Sequence, residues 1–319
     1  MIHEVAPDIH RIEVPLPRNP LRAINAYLVR GADRCLMIDT GMNRPECLDA
    51  VRQALRALAV DLGRTDFFIT HGHADHVGLV SELPTGASRI FLHPQDAAIV
   101  LDPDLWKAMA ADARTHGFPD PDAAVLKHPG RRYGFSGHPD FTPLSEGDHV
   151  RVGRYVFRCV ETPGHTPGHM CLYEPDARLL FSGDHILDTI TPNISAWGCG
   201  ADPLAEFIES LDKTAAYSVA ITLPAHRAPI RDHVRRIEEL KAHHRIRMQE
   251  ALDVLAGGAQ TAYRVAAQMA WNLDCARWDD FPVPQQWFAT GEALAHLLHL
   301  ERQGRIWRED RKGQAYFSL

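Results

Sequence analysis

Within residues 70–76, Thr-His-Gly-His-Ala-Asp-His, three imidazoles (His71, His73 and His76) and one carboxylate (Asp75) are crowded into six positions. Protonated histidines at that spacing would repel one another, and the group has little packing value. Neutral imidazole and ionised carboxylate are, however, donors to a divalent cation, and a shared metal explains the string economically. Gly72 and Ala74 leave the backbone free to turn its neighbours inward. The same residue types return at 162–169 (Thr-Pro-Gly-His-Thr-Pro-Gly-His, with His165 and His169), at 182–185 (Ser-Gly-Asp-His, with Asp184 and His185) and at 223–226 (Leu-Pro-Ala-His, with His226). Each follows a strand-like run and a small or turn-forming residue, which is how loops at one edge of a rigid scaffold assemble a site. A lone histidine after a strand is usually an ordinary loop residue; beside the first cluster, the shared placement favours a two-metal site.

The elements that must position these residues read as a layered α/β protein. Strand-like runs at 9–14, 24–30 and 35–38 open the chain, and an amphipathic helix is predicted over 45–59. A buried strand at 67–69 delivers the chain to the histidines, followed by a short helix at 77–83, a strand at 89–92 and a helix at 95–101. Strands resume at 149–152, 155–160, 169–173 and 178–181, and a helix at 203–217 and a strand at 219–223 follow. Two batches of strands, each followed by helices, favour a sandwich over a single parallel sheet. Residues 102–145 are rich in Pro, Gly, Asp and His, with a helix expected only around 105–114; such a long irregular insertion is expected near the active site. From residue 231 the pattern is helical (231–256, 263–271, 290–303) and ends in strand, turn and strand, the layout of a winged helix. The expected division is therefore a catalytic domain over 1–230 and a winged-helix-like domain over 231–319, within the range for a chain of 319 residues.

In the order H-x-H-x-D-H, G-H, G-D, H, the sequence resembles the metallo-β-lactamase superfamily, in the hydrolase branch containing glyoxalase II, lactonases and lactamase-like endoribonucleases. The resemblance covers residues 9–226 and implies an αββα sandwich. By position it implies that His71, His73 and His165 hold one metal, that Asp75, His76 and His226 hold a second, and that Asp184 bridges them. It implies two zinc ions, with iron or manganese as alternatives, and a catalytic role for Asp75 and His76. Asp39, in Ile-Asp-Thr-Gly at 38–41, matches a family position near the metals, where it would orient ligands; capping the following turn suits it equally. His169 and His185 would support their neighbours. The C-terminal part is similar to a small winged-helix domain appended to some of these hydrolases.

Zinc is a Lewis acid that lowers the pKa of bound water from 15.7 towards ~7. The expected reaction is attack of a metal-bound hydroxide on an ester-type bond (thioester, lactone or ester) of a small molecule, with Asp75 orienting the nucleophile. The insertion and the loop 188–200 would select the substrate, Asn193 and Ser195 by hydrogen bonds and Trp197 by stacking. The alternative is a metal-dependent endoribonuclease whose basic C-terminal region, including Arg231, Arg235, Arg236 and Lys241, holds single-stranded nucleic acid. The net charge of −7 makes nucleic acid the less favoured partner. The C-terminal domain is expected to serve assembly or active-site shape, its aromatics (Trp271, Trp278, Trp287, Phe288) docking on the sandwich or on a second copy in a homo-oligomer. A single-iron redox site is disfavoured by the presence of both His76 and His226. Six cysteines without a C-x-x-C pair suggest reduced thiols, and the polar N-terminal segment and absence of a long apolar run suggest a cytoplasmic protein away from membranes.

Overall fold

The structure, a computed structural model, describes residues 1–197, 201–271 and 277–319. Seven strands form the first sheet in sequential order: β1 (Ile2–Ala6), β2 (Ile9–Pro15), β3 (Ala23–Arg30), β4 (Cys35–Ile38), β5 (Thr65–Phe68), β6 (Ile90–Leu92) and β7 (Phe141–Pro143). Pairing is antiparallel from β1 to β4 and parallel from β4 to β7. The second sheet holds β8 (His149–Val152), β9 (Tyr155–Glu161), β10 (Met170–Glu174), β11 (Leu179–Gly183) and β12 (Ile221–Pro224), with only β11 and β12 parallel.

The sheets pack face to face. Alternation in β3 and β9 sends Tyr27 and Val29 from one sheet and Phe157 and Cys159 from the other into a shared core with Phe68, Leu172 and Phe181. The opposite face of the first sheet (Ile12, Val14, Leu28, Met37, Phe67) is covered by α1 (Pro45–Ala57) through Cys47, Val51 and Leu55, the spacing that marks this helix in the sequence. The opposite face of the second sheet (Val160, Cys171, Leu180) is covered by α7 (Pro203–Ala215) through Leu204, Phe207 and Leu211. Helix, sheet, sheet, helix is the expected αββα sandwich. It leaves the C-terminal ends of β5, β11 and β12 together at one edge.

Several elements depart from the sequence expectations. β1 has no counterpart among the expected strands; at the edge of the sheet, with none of its five residues buried, it carries no apolar alternation. Between the short helices α2 (Ala74–Val77) and α3 (Pro94–Leu101) and the second sheet, the insertion carries α4 (Leu105–Thr115), α5 (Pro121–Lys127), α6 (Pro129–Tyr133) and β7, where one helix is expected from the sequence. Helices of seven and five residues show no period; each starts with a proline after a capping residue, Asp120 or His128, whose side chain accepts a backbone N–H.

The C-terminal region follows the expected order: α8 (His233–Leu255), α9 (Ala262–Ala266), α10 (Val283–Arg302) and the antiparallel hairpin β13 (Trp307–Arg311) and β14 (Gln314–Ser318). The last helix begins seven residues before its expected start at Thr290, so Trp287 and Phe288 are helical. Val265, Met269, Leu294, Leu297 and Ile306 do not form a separate core. They belong to one continuous apolar cluster with Leu180 and Phe207 of the sandwich and Phe118 and Val125 of the insertion. Trp287 is buried against Phe118 and Trp197 of the same chain, which removes one reason to expect a second copy at these aromatics. Cys35, Cys47, Cys159 and Cys171 are free thiols; Cys199 and Cys275 lie outside the described residues. Among the described residues no helix is long and apolar enough to cross a membrane.

Candidate metal centre

β5 ends at Phe68, and Ile69 and Thr70 carry the chain over the sheet edge into the loop bearing His71 and His73 and into α2, which bears Asp75 and His76. The loop after β9 brings His165, the end of β11 brings Asp184, and the residues after β12 bring His226. Their donor atoms converge in two groups that share Asp184. In the first, His71 Nε2 lies 3.0 Å from His73 Nδ1 and 3.2 Å from His165 Nε2, and Asp184 Oδ2 lies 3.5 Å from His165 Nε2. In the second, His226 Nε2 lies 3.5 Å from both Asp75 Oδ2 and Asp184 Oδ1, and His76 Nε2 lies 3.9 Å from Asp75 Oδ1 and 3.7 Å from Asp184 Oδ2.

The outer hydrogen bonds decide what these atoms offer. His165 Nδ1 donates to the Asn193 carbonyl (2.7 Å), His226 Nδ1 to the Ala23 carbonyl (2.8 Å) and His76 Nδ1 to Asp39 Oδ2 (2.8 Å). Because these partners only accept, each Nδ1 carries a proton and each Nε2 faces inward, where in the neutral ring it offers a lone pair to a cation. The Thr70 hydroxyl donates to Asp39, so His71 Nδ1, 3.1 Å from Thr70 Oγ1, is also a donor and its Nε2 is likewise bare. Lone pairs facing one another at 3.2 Å repel unless a cation lies between them. A tetrahedral site with Zn–N of ~2.0–2.1 Å has donors roughly 3.3–3.4 Å apart, close to the separations in the first group. The inward atoms His76 Nε2, His226 Nε2 and Asp184 Oδ1 are buried without a hydrogen-bond partner, a costly arrangement in a protein interior. The donor set therefore fits two divalent cations.

Charge follows the same division. Burial opposes the charged form of His76, but Asp39, Asp184 and Asp75 outweigh it and hold this imidazole well above the usual histidine value. His226 is raised in the same sense by Asp184 and Asp75 against burial. In the first group, burial and the neighbouring imidazoles His76, His73 and His165 push His71 well below that value.

Asp39 joins Thr70 to His76: its Oδ1 accepts from the Thr70 amide at 2.9 Å and its Oδ2 accepts from His76 Nδ1. Its φ of 58° is left-handed, a conformation that aspartate and asparagine tolerate better than most residues. Asp39→Asn keeps size and backbone but weakens the hold on the His76 tautomer. It is expected to lower metal affinity by about 10–100-fold with little change in fold, measured by competition against a chromophoric chelator.

His169 accepts the Asp184 amide at its Nε2 (3.1 Å) and donates from Nδ1 to Thr162 Oγ1 (2.7 Å), so it fixes the start of the loop bearing Asp184. Gly183, with φ 50°, allows that approach, since a Cβ there would lie 2.6 Å from His169 Nε2. His185 turns away, bonding Thr214 Oγ1 (3.1 Å) and packing edge-on to Phe207.

The three side chains expected to touch substrate are engaged elsewhere. Asn193 bonds Glu292, Trp197 packs on Trp287 with ring centroids 4.8 Å apart, and the hydroxyl of half-buried Ser195 is enclosed beside Gly291 of α10. Polar and aromatic residues in the loop after Asp184 suit a substrate or a neighbouring helix, and here they lie against the helix; residues 198–200 of that loop lie outside the described residues.

One residue escapes a reading of the sequence. Asp96, in the first turn of α3 and 2% exposed, accepts from Gly72 N, Gly168 N and Thr166 Oγ1, all at 2.7 Å. It ties the loop of His71 and His73 to the loop of His165.

Comparison with known proteins extends this picture over the whole chain. A metallo-β-lactamase family protein of Thermus thermophilus superposes with a TM-score of 0.84 at 28% identity, covering 99% of this chain and 100% of that one. A β-lactamase domain protein of Burkholderia ambifaria has the same TM-score of 0.84 and identity of 28%, covering 99% of this chain and 94% of its own. An atrochrysone carboxyl ACP thioesterase of Aspergillus fumigatus is 28% identical over 217 residues, 68% of this chain but only 40% of the fungal protein. The profile of the metallo-beta-lactamase superfamily matches residues 19–226, from the loop before β3 to the last convergent histidine, and the chain belongs to that superfamily.

Proposed function

We propose that the protein is a binuclear zinc-dependent hydrolase acting on an ester-type bond, a thioester, lactone or ester, of a small molecule. The observation that carries this reading is the convergence of His71, His73 and His165 on one side of Asp184 and of Asp75, His76 and His226 on the other, with His76 Nε2, His226 Nε2 and Asp184 Oδ1 buried without hydrogen-bond partners. Bound there, zinc would supply Lewis acidity and a water acidic enough to act as nucleophile near neutral pH.

The chain's own residues do the rest. Asp39, the Asn193 carbonyl and the Ala23 carbonyl fix the tautomers of His76, His165 and His226. Asp75 and Asp184 would offset half of the charge of two bound dications. The fungal thioesterase supports the choice of an ester-type bond, since thioester cleavage is the activity in that relative's name.

The nucleic-acid reading loses much of its surface. Arg236 donates to the Leu187 and Ile190 carbonyls, at 2.7 and 3.0 Å, and pairs with Glu239; Arg235 also pairs with Glu239, and Lys241 with Asp212. Arg236, held on two carbonyls with its side chain 16% exposed, is poorly placed to follow phosphates.

The test is elemental analysis of protein purified without chelator, together with a hydrolysis panel of acyl-thioesters, lactones, a β-lactam and single-stranded RNA. About two zinc-class equivalents per chain are expected, with turnover of an ester-type substrate that chelator abolishes and added metal restores. Reproducible binding of one iron, or cleavage of RNA alone, would overturn the reading.

A further inference from the structure

Helix α10 reaches the candidate metal centre through a short relay. Gly291 of α10 lies so close to the loop after Asp184 that a Cβ there would stand 2.3 Å from Ser195 Oγ and 2.5 Å from Trp197 Nε1. The next residue, Glu292, is 8% exposed, and its Oε2 accepts from Asn193 Nδ2 at 3.0 Å, while the Phe288 carbonyl accepts from the same amide at 3.3 Å. The backbone carbonyl of Asn193 in turn accepts from His165 Nδ1 at 2.7 Å. Behind Glu292 stands Arg247 of α8, 4% exposed, with its Nε 3.5 Å from Glu292 Oε1. Arg247 is held by the Ala270 carbonyl at 2.6 Å, by Glu250, and by the face of Trp271 with its guanidinium 4.1 Å from the ring centroid.

A carboxylate buried this deeply is unfavourable unless its partners hold it in place. Glu292 has two of them, Arg247 behind and Asn193 in front. The side chain of Asn193 is thus clamped by α10 while its backbone orients a ring whose other nitrogen faces the first donor group. A carbonyl that sets the tautomer and angle of a metal-binding histidine commonly controls affinity through its position.

We propose that Glu292 and Asn193 are positioning residues through which the C-terminal region sets the presentation of His165 to the first metal. The inference rests on the metal role proposed for His165. Every residue type supplies a backbone carbonyl at position 193, so the prediction concerns where the carbonyl is held.

Asn193→Asp places a second carboxylate against Glu292 and removes both donated hydrogen bonds. It is expected to weaken binding of one of the two metal equivalents by about 10–100-fold, and to change the absorption spectrum of the cobalt-loaded protein. Far-ultraviolet circular dichroism and thermal unfolding of metal-free protein serve as controls for the fold. Combining it with Glu292→Gln restores a donor–acceptor pair with the roles exchanged, and the double variant is expected to regain most of the lost affinity. Should Asn193→Asp fail to fold, Asn193→Ser, which removes the clamp without adding charge, is measured in the same way with the same loss expected. Wild-type affinity and an unchanged cobalt spectrum in the folded single variant would overturn the proposal, as would a double variant no better than the single one. If the wild-type chain binds no divalent cation, the reading of the metal centre itself falls, an outcome separate from two metals bound equally well by wild type and variant.

Discussion

Asp75→Asn is expected to reduce turnover by more than the roughly 10–100-fold typical of losing a residue that merely orients a ligand, while the fold is retained. Asp75 sits in the four-residue helix α2 and is 8% exposed, yet the apolar cores do not depend on it. Its Oδ2 lies 3.5 Å from His226 Nε2 and its Oδ1 3.9 Å from His76 Nε2. Burial acts to raise its pKa, but His76 and His226 outweigh that effect and hold the carboxyl at about 2, so it is ionised throughout the working range. Asparagine preserves the volume and removes the charge. The second donor group would then keep only Asp184 as an anion and bind its cation less tightly. The values to compare are kcat/KM on the best ester-type substrate, metal content after dialysis, and thermal unfolding. Near-wild-type turnover in metal-replete buffer would exclude Asp75 from the machinery.

The legible part of this site is the part that is local in sequence. His71, His73, Asp75 and His76 lie within one turn-and-helix segment, and their crowding has no ordinary packing explanation. His165, Asp184 and His226 are each readable only as a polar residue at a strand end; the sandwich turns three such ends to one edge, and the resemblance to the superfamily groups them in advance. Asp96 carries no comparable mark. An acidic residue in the first turn of a helix is commonplace, and its partners, Gly72 and residues 166 and 168, lie far away in the chain. Asn193, Ser195 and Trp197 show the converse. Their types suit substrate contact, but a helix about a hundred positions further on occupies them, with 99 residues separating Asn193 from Glu292. Periodicity places α1 and α7 well because each has one buried stripe. It fails for α5 and α6, which are shorter than two turns of α-helix and are defined by their caps.

The residue that the sequence conceals has the second large effect expected here. Asp96→Ala should destabilise the protein by roughly 3–5 kcal/mol and reduce metal retention in the same preparation, because it removes one acceptor group that serves three buried or half-buried donors. Two of these donors, Gly72 N and Thr166 Oγ1, share Oδ2, and Gly168 N takes Oδ1. Alanine leaves all three without that partner and frees the loop of His71 and His73 from the loop of His165. Asp96→Asn gives a graded result. With its carbonyl in the place of Oδ2 it keeps two bonds, but it turns an NH2 towards the Gly168 amide and gives up the charge that strengthens the bonds it keeps. The expected order of stability is wild type, then Asp96→Asn, then Asp96→Ala, with metal retention falling in the same order. Denaturant unfolding of the metal-free proteins measures the structural part, since no cation then contributes. Chelator competition on the folded variants measures what loosening the two loops does to the donors. If Asp96→Ala unfolds at the wild-type midpoint and retains metal as the wild type does, the carboxylate is not what joins the loops, and the order of the donors around Asp184 must be fixed by the strand ends alone.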